Sequence, residues 1–239
     1  MTYHQTAKRA LDIIAAAGLL IVISPLLVLV ALLILLFEGR PILYRSVRYV
    51  SPTRGVNVVK FRTMIRDATN PRHRLYERFM RDGYLDIPLS CEVFTPIGRI
   101  LERLQIVELP QVFNIIFSGM TFVGNRPLPR VNLQLLSKFP AWEKRFASPS
   151  GITGISQIVG KHHLQPNERL GLEVAYGEVY RNGNVLKCDA LIALATMKLI
   201  LLGEPTTLDQ AWLILVSACH ETASLRGVVG EELREDALA

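Results

Sequence analysis

The chain has 239 residues, half of them hydrophobic, and its mean hydropathy of +0.28 indicates contact with a membrane. Lys and Arg number 27 against 21 Asp and Glu, which gives a formal net charge of +6, and the length suits one substantial domain with an accessory segment. The three cysteines form no CxxC motif and no Cys/His pairing, which argues against a disulfide framework or a zinc site and fits a reducing compartment.

The first feature in chain order is an apolar segment from residue 13 to residue 37. Of its 25 residues, only Gly18, Ser24 and Pro25 are not strongly apolar. That length is sufficient to span a bilayer. A cleaved signal peptide would have a shorter apolar core and a small-residue cleavage site, and neither feature is evident. The segment is therefore predicted to be a membrane-inserted helix.

Pro25 lies in the middle of this segment, where it removes a backbone hydrogen bond and clashes with the preceding turn. Each half, about 12 residues or roughly 18 Å, is too short to cross about 30 Å of hydrocarbon alone. Ser24 could bond a carbonyl that the proline frees. The positive-inside rule draws both ends to the cytoplasm, because basic residues flank both. These residues are Lys8, Arg9, Arg40, Arg45 and Arg48. We predict a re-entrant helix bent at Ser24-Pro25, with a straight span as the alternative.

Short strands and several helices are predicted after the membrane segment. Two β-like runs, 42–50 and 56–64, flank a Ser-Pro-Thr-Arg-Gly turn. Apolar periodicity and capping signals predict the helices. These are expected around 73–81, over 95–105, over 108–119, over 131–146 with a break at Pro140, and over 188–202 and 208–219. The 131–146 stretch carries aromatic residues among Lys and Arg, a composition typical of a helix in the headgroup region.

Basic residues are concentrated between Gly39 and Arg81. Eleven Lys or Arg stand there against Asp67 and Glu77. A local surplus of this kind is either a solvated basic face or a surface for lipid headgroups, nucleic acid or a phosphorylated substrate. Because aromatic residues are not interleaved and no nucleic-acid motif is present, we predict no nucleic-acid partner.

One acid and one arginine in the next part of the chain suggest a site that handles phosphate. Arg126 precedes Pro127 on a stiffened backbone, where its guanidinium could contact phosphate oxygens in bidentate fashion, or else be an exposed loop arginine. Glu108 could hold a metal ion or act as a base, or else be an acid favoured by the dipole of a helix start.

Taken together, a series of short strings resembles the bacterial sugar transferase family, the monotopic phosphoglycosyl transferases. The resemblance extends over about 195 of the 239 residues. They are KRALDI at 8–13, SP at 24–25, GRPILYRSVR at 39–48, KFRTM at 60–64, TPIGRILERL at 95–104, ELPQVFN at 108–114, MTFVGNRP at 120–127, GITGISQIVGK at 151–161 and the 172–189 region.

The resemblance implies an α/β fold of a monotopic membrane protein, with a re-entrant membrane helix, a small cytoplasmic α/β core and amphipathic interfacial helices. The implied parts are a membrane helix over 1–39, a sugar-transferase-like domain over 40–205, and a C-terminal helix and tail over 206–239. The expected location is the inner (cytoplasmic) membrane, with the catalytic domain on the cytoplasmic side. Glycan-assembly proteins are possible partners.

The resemblance also implies a reaction. Family members transfer a sugar 1-phosphate from a UDP-sugar to polyprenyl (undecaprenyl) phosphate, with magnesium assisting, and release UMP. The implied site residues are Glu108, as the catalytic and magnesium-binding acid, and five residues that contact the substrate. The substrate-binding residues are Arg103, Arg126, Pro127, Lys60 and Arg62. For Lys60 and Arg62, a plain basic strand is the alternative.

The chain departs from the family at polar positions. The family mechanism passes through a phosphosugar bound to an aspartate of an Asp-Glu pair, and that pair maps to Val107-Glu108 here. Valine offers no nucleophile and no metal ligand. Other differences map to Asn125, Lys161 and Glu173. Two hypotheses follow: an active transferase in which Glu108 is nucleophile or base, and a non-enzymatic membrane partner in glycan assembly.

Overall fold

The structure of the protein is a computed structural model that describes residues 3–81, 84–160 and 164–219. Two parts of the chain for which predictions were made lie outside these ranges. They are Lys161 and the tail from residue 220. The fold is mixed α/β with one long apolar helix at the N-terminus, as predicted. In chain order the elements are α1 (Tyr3–Phe37), β1 (Leu43–Tyr49), β2 (Gly55–Phe61), α2 (Leu75–Phe79), β3 (Met80–Arg81), β4 (Tyr84–Leu85), α3 (Pro96–Arg103), α4 (Val112–Ser118), β5 (Thr121–Val123), α5 (Arg130–Leu136), β6 (Gly151–Thr153), α6 (Ile155–Val159), α7 (Pro166–Asn182), α8 (Val185–Leu202) and α9 (Leu208–Ala218).

Helix α1 is long and apolar enough to cross a membrane, and only 11% of its most apolar window is buried in the protein. Its helical conformation does not end at Ser24-Pro25, since Pro25 lies inside the helix. The Ser24 hydroxyl donates a hydrogen bond to the Ile21 carbonyl at 2.9 Å. That is the carbonyl that an N–H at position 25 would have bonded, so the predicted compensation by Ser24 is confirmed.

Both ends of α1 pack against the α/β part of the protein, in two separate apolar clusters. Lys8, Asp12 and Ala16 are buried near its start, and Val30 and Ile34 are buried near its end. At the start, Lys8 Nζ donates to the Val123 carbonyl at 3.0 Å and pairs with Asp189. These contacts anchor the basic start of the helix on the core.

The predicted β-hairpin forms between β1 and β2. The strands are antiparallel, with Tyr44 opposite Lys60 and Arg48 opposite Val56. Directly opposed residues of an antiparallel pair share one face of the sheet, and residues two apart on a strand also share a face. Tyr44, Arg48 and Lys60 therefore lie on the same face. A second, parallel pair joins β5 to β6. The Gly124-to-Pro127 loop follows directly after β5.

Most of the predicted helices are present, with one correction. The segment around 73–81 is a short 3₁₀ turn and the five-residue helix α2, and the chain then becomes extended at Met80 because β3 pairs with β4. Helix α3 begins where expected, since the Thr95 side chain accepts a hydrogen bond from the Gly98 amide. Helices α8 and α9 pack with α6 and α7 around Tyr176 and Leu215 in the largest apolar core.

The 131–146 stretch, which was predicted to lie in the headgroup region, packs in part on the core. It forms α5 and a 3₁₀ segment, Trp142–Ala147. Leu136 and Trp142 pack against Leu170 and Val174 of α7, and Arg145 is only 1% exposed. Much of its amphipathic pattern is therefore explained by packing within the core.

Candidate active site

Glu108 lies at the meeting point of three chain segments. Its Oε1 atom is 2.5 Å from Lys60 Nζ, near the end of β2, and 2.7 Å from Arg126 Nη2, in the loop after β5. Arg126 Nη1 also donates to Oε2 at 3.4 Å, so both terminal nitrogens of the guanidinium bond the carboxylate. The structure thus brings together three of the predicted residues, and the Glu108 side chain remains 29% exposed.

The surroundings of Glu108 keep it ionised. Burial would raise the pKa of its carboxyl group, but the positive charges of Arg126 and Lys60 and their hydrogen bonds outweigh burial and hold the pKa well below its usual range. The pKa of Lys60 is lowered by burial, although the charge of Glu108 acts in the opposite direction. A carboxylate with so low a pKa is a weak base at neutral pH.

Arg48 lies on the same face of the hairpin as Lys60, and the sequence had not indicated this position. It is partly buried on β1, and its Nε donates to Ser46 Oγ at 3.1 Å. Burial lowers the pKa of Arg48, and the nearby charge of Arg126 lowers it further while Glu108 raises it. The next residue, Tyr49, pairs with Leu128 through its backbone. The period-2 alternation of β1 was a usable signal, but only the register with β2 shows that Arg48 shares a face with Lys60.

A buried ion pair holds the Arg126 loop from behind. Arg145 and Glu173 are each 1% exposed, and Arg145 Nε donates to Glu173 at 2.7 Å. Arg145 Nη2 also donates to the Arg126 carbonyl at 3.0 Å. The Asn125 side-chain amide bonds the carbonyls of Arg145 and Glu173 at 2.7 and 2.8 Å. These bonds fix the backbone from which Arg126 projects.

Val107 faces away from the site. It is only 5% exposed and packs with Val30 and Ile34 of α1 and with Phe61 and Leu101. Its carbonyl accepts a hydrogen bond from the Phe61 amide at 3.1 Å. Neighbouring residues therefore point in different directions, with Val107 against the membrane helix and Glu108 toward the cations.

Two of the predicted substrate-binding residues are not brought to Glu108. Arg62 is 6% exposed, and its guanidinium donates to the carbonyls of Glu38, Gly39, Pro41 and Met64. The structure gives it a different task, holding the connection between α1 and β1, because its donors are already used by backbone acceptors. Arg103 is exposed at the end of α3, and Glu108 is contacted by Lys60 and Arg126 rather than by Arg103. Pro127 is buried directly after Arg126.

The residues around Glu108 do not fit a magnesium site. Within 3–81, 84–160 and 164–219, no group of three or more His, Cys, Asp or Glu side chains lies close enough together to hold a metal ion. Both oxygens of Glu108 are already occupied by Lys60 and Arg126. A divalent cation placed there would meet two positive charges at short range, so we derive no step through a metal.

A long apolar helix packed on a small α/β core, with a partly exposed, cation-rich site beside it, defines a membrane-associated α/β protein. The family model described as "Bacterial sugar transferase" matches residues 3–203. The chain belongs to that family.

Relatives from several bacteria agree with this assignment. The chain is 29% identical over 175 residues to the exopolysaccharide production protein ExoY of Rhizobium meliloti, covering 71% of this chain and 76% of that protein. It is 32% identical over 157 residues to the exopolysaccharide production protein PSS of Rhizobium leguminosarum bv. phaseoli, covering 64% and 74%. It is 30% identical over 192 residues to the UDP-glucose:undecaprenyl-phosphate glucose-1-phosphate transferase of Klebsiella pneumoniae, covering 80% of this chain but only 39% of that longer protein.

Proposed function

We propose that the chain transfers a sugar 1-phosphate from a UDP-sugar to polyprenyl (undecaprenyl) phosphate at the cytoplasmic face of the inner membrane, as an early step of exopolysaccharide or other glycan assembly. The family, and relatives that are named as transferases of this kind, support the proposal. The observation that carries it is the cluster of Arg126 and Lys60 on Glu108, one residue after Val107, which packs on α1.

The position of this cluster suits a reaction between a soluble and a lipid substrate. Lys60 is followed by Phe61, and Glu108 is preceded by Val107. Both of these apolar neighbours pack on the C-terminal half of α1. If α1 lies in the lipid, the cations stand at the height of the headgroups, where a lipid phosphate and a nucleotide can both reach them. Residues near both ends of α1 pack on the α/β part of the protein, in two separate apolar clusters. This supports a re-entrant arrangement, because a full crossing would separate the ends by the width of the bilayer.

The chemistry needs positioned positive charge more than it needs a base. A phosphate oxygen of the polyprenyl phosphate attacks the sugar-bearing phosphorus of the UDP-sugar, the bond from that phosphorus to the bridging oxygen breaks, and UMP leaves with that oxygen. The attacking phosphate is already ionised, so no proton has to be removed. Arg126 and Lys60 would stabilise the charge on the transferred group. Glu108, as a weakly basic carboxylate bonded to both, orients these two cations.

A transfer assay tests this function. Full-length protein in detergent micelles is incubated with undecaprenyl phosphate and a panel of radiolabelled UDP-sugars, and the label in the lipid phase is measured. We expect Glu108→Gln to reduce kcat by about 100-fold, because Lys60 and Arg126 lose the anion that orients them. Glu108→Asp should recover part of the rate, which loss of folding would not allow. The control, Glu143→Gln, changes an exposed acid and should leave the rate unchanged. Transfer that is insensitive to Glu108→Gln would refute the role of Glu108.

A second candidate is a non-enzymatic membrane partner in glycan assembly. It is favoured by one observation: the position that the family resemblance aligns with the nucleophilic aspartate is a buried valine in an apolar cluster. The same assay separates the candidates. A protein that binds UDP but transfers no label from any member of the panel is a binding partner, whereas lipid-linked label that depends on Glu108 identifies an enzyme.

A further inference from the structure

We propose that this chain binds the diphosphate of its nucleotide donor without a divalent cation, with Arg48, Lys60 and Arg126 supplying the positive charge that a metal ion would otherwise provide. The inference rests on the proposed function, since it names the groups that hold the donor. It adds Arg48 as a substrate-binding residue.

The first argument is the charge of the site. Arg48, Lys60 and Arg126 are three cations; Lys60 and Arg126 both bond Glu108, and Arg48 lies on the strand face that carries Lys60. The four groups together carry a net charge of +2. The diphosphate of a UDP-sugar carries one negative charge on each phosphate, so the side chains alone can neutralise it. Adding a divalent cation would leave the occupied site strongly positive.

The second argument is the geometry of the donors. Lys60 and Arg126 bond the same oxygen of Glu108, so their charged groups flank a single point. Arg48 comes from the opposite strand of the hairpin and is turned by its bond to Ser46 Oγ. The adjoining pair Tyr49 and Leu128 holds β1 against the chain two residues after Arg126. A phosphate near Glu108 would therefore have guanidinium donors from two directions and an ammonium between them.

The third argument is that the carboxylate available to a metal is already bonded to two cations. Magnesium bound to a protein and a nucleotide uses one or two carboxylates together with phosphate oxygens. Within the described part of the chain, the only carboxylate in contact with Lys60 and Arg126 is Glu108, and both of its oxygens are in use. The arrangement is that of an anion site rather than a cation site.

Binding of UDP tests the inference without requiring turnover. Isothermal titration calorimetry on the full chain in detergent micelles measures the Kd for UDP in excess EDTA and in excess MgCl₂. We expect the two values to agree within about threefold. Arg48→Gln should raise the Kd at least about tenfold in EDTA, because one charge-assisted contact is lost. The matched control is Arg45→Gln, because Arg45 is an exposed arginine on the opposite face of β1. This substitution should leave the Kd for UDP unchanged.

The outcomes separate this inference from the proposed function. Binding of UDP in MgCl₂ but not in EDTA overturns the inference and leaves the proposed function standing. An unchanged Kd in Arg48→Gln removes Arg48 from the site. If Arg48→Gln fails to fold, the Kd of Arg48→Lys tests the role of Arg48. The comparison of wild-type protein in EDTA and MgCl₂ still tests whether binding needs a metal ion. No binding of UDP under either condition refutes the proposed function itself. As a direct probe of the metal, Mn²⁺ alone is titrated by electron paramagnetic resonance, and saturable binding that is lost in Glu108→Gln would contradict the inference.

Discussion

Val107→Asp introduces an acid at the position that the family resemblance aligns with a catalytic aspartate, and the structure predicts that it destabilises the protein instead of activating it. Val107 is 5% exposed among Val30, Ile34, Phe61 and Leu101. Loss of the buried valine costs about 2 kcal/mol, and an unsatisfied buried polar group costs a further 1–3 kcal/mol or so. We therefore expect the free energy of unfolding to fall by about 3–5 kcal/mol, a large part of the roughly 5–15 kcal/mol available to a domain.

The destabilisation should depend on pH in a defined direction. Burial raises the pKa of the new carboxyl group in the folded state above its unfolded value of about 3.9. Above that value the unfolded state binds fewer protons than the folded state, so stability falls as pH rises. Relative to wild type at the same pH, Val107→Asp should be less stable at pH 7 than at pH 5. The isosteric but uncharged Val107→Asn should show no such difference.

Chemical unfolding in detergent micelles, followed by tryptophan fluorescence, measures these free energies. Val47→Asp is the matched control, because Val47 is a 57% exposed valine on β1 and its replacement should change stability by less than about 0.5 kcal/mol. If Val107→Asp is as stable as Val47→Asp and raises the rate of lipid-linked transfer, the side chain at this position faces the substrate, and the packing argument is refuted.

Three further predictions concern the supports of the site. Arg145→Met should lower the free energy of unfolding by about 3 kcal/mol, since the buried Glu173 loses its partner at 2.7 Å and keeps only the more distant Arg169 at 3.9 Å; an unfolding curve like that of wild type would contradict this, and adding Glu173→Leu should restore part of the loss. Gly98→Ala should destabilise by about 1–3 kcal/mol, because the new Cβ would lie 2.1 Å from the Thr63 carbonyl oxygen; an unchanged melting temperature would show that α3 can shift freely. Lys8→Met should expose the N-terminal end of α1 to limited proteolysis, since it removes the ion pair to the core; protection equal to wild type would show that apolar packing alone holds the helix.

Local patterns were sufficient for the elements themselves. The apolar run of α1, the hairpin with its turn and the Thr95 cap of α3 all depend on residues within a few positions of one another. The error at Met80 arose because a two-residue strand pairing overrode a helical pattern. Arg62 shows the same limit at the level of the site, since its basic character gave no indication that backbone carbonyls of the preceding connection would use its donors.

The sequence by itself determined that this protein has a long apolar helix and an α/β core, and it predicted a site for phosphate around Glu108 and Arg126. Apolar length, periodicity and the family resemblance can all be recognised along the chain. Only the tertiary structure decided that Arg48 shares a strand face with Lys60, that Val107 packs in the core, and that Arg145 supports the Arg126 loop. The reason is physical: these relations depend on strand register and on packing between segments that are distant in sequence. Residue type alone does not reveal which face of an element will meet which partner.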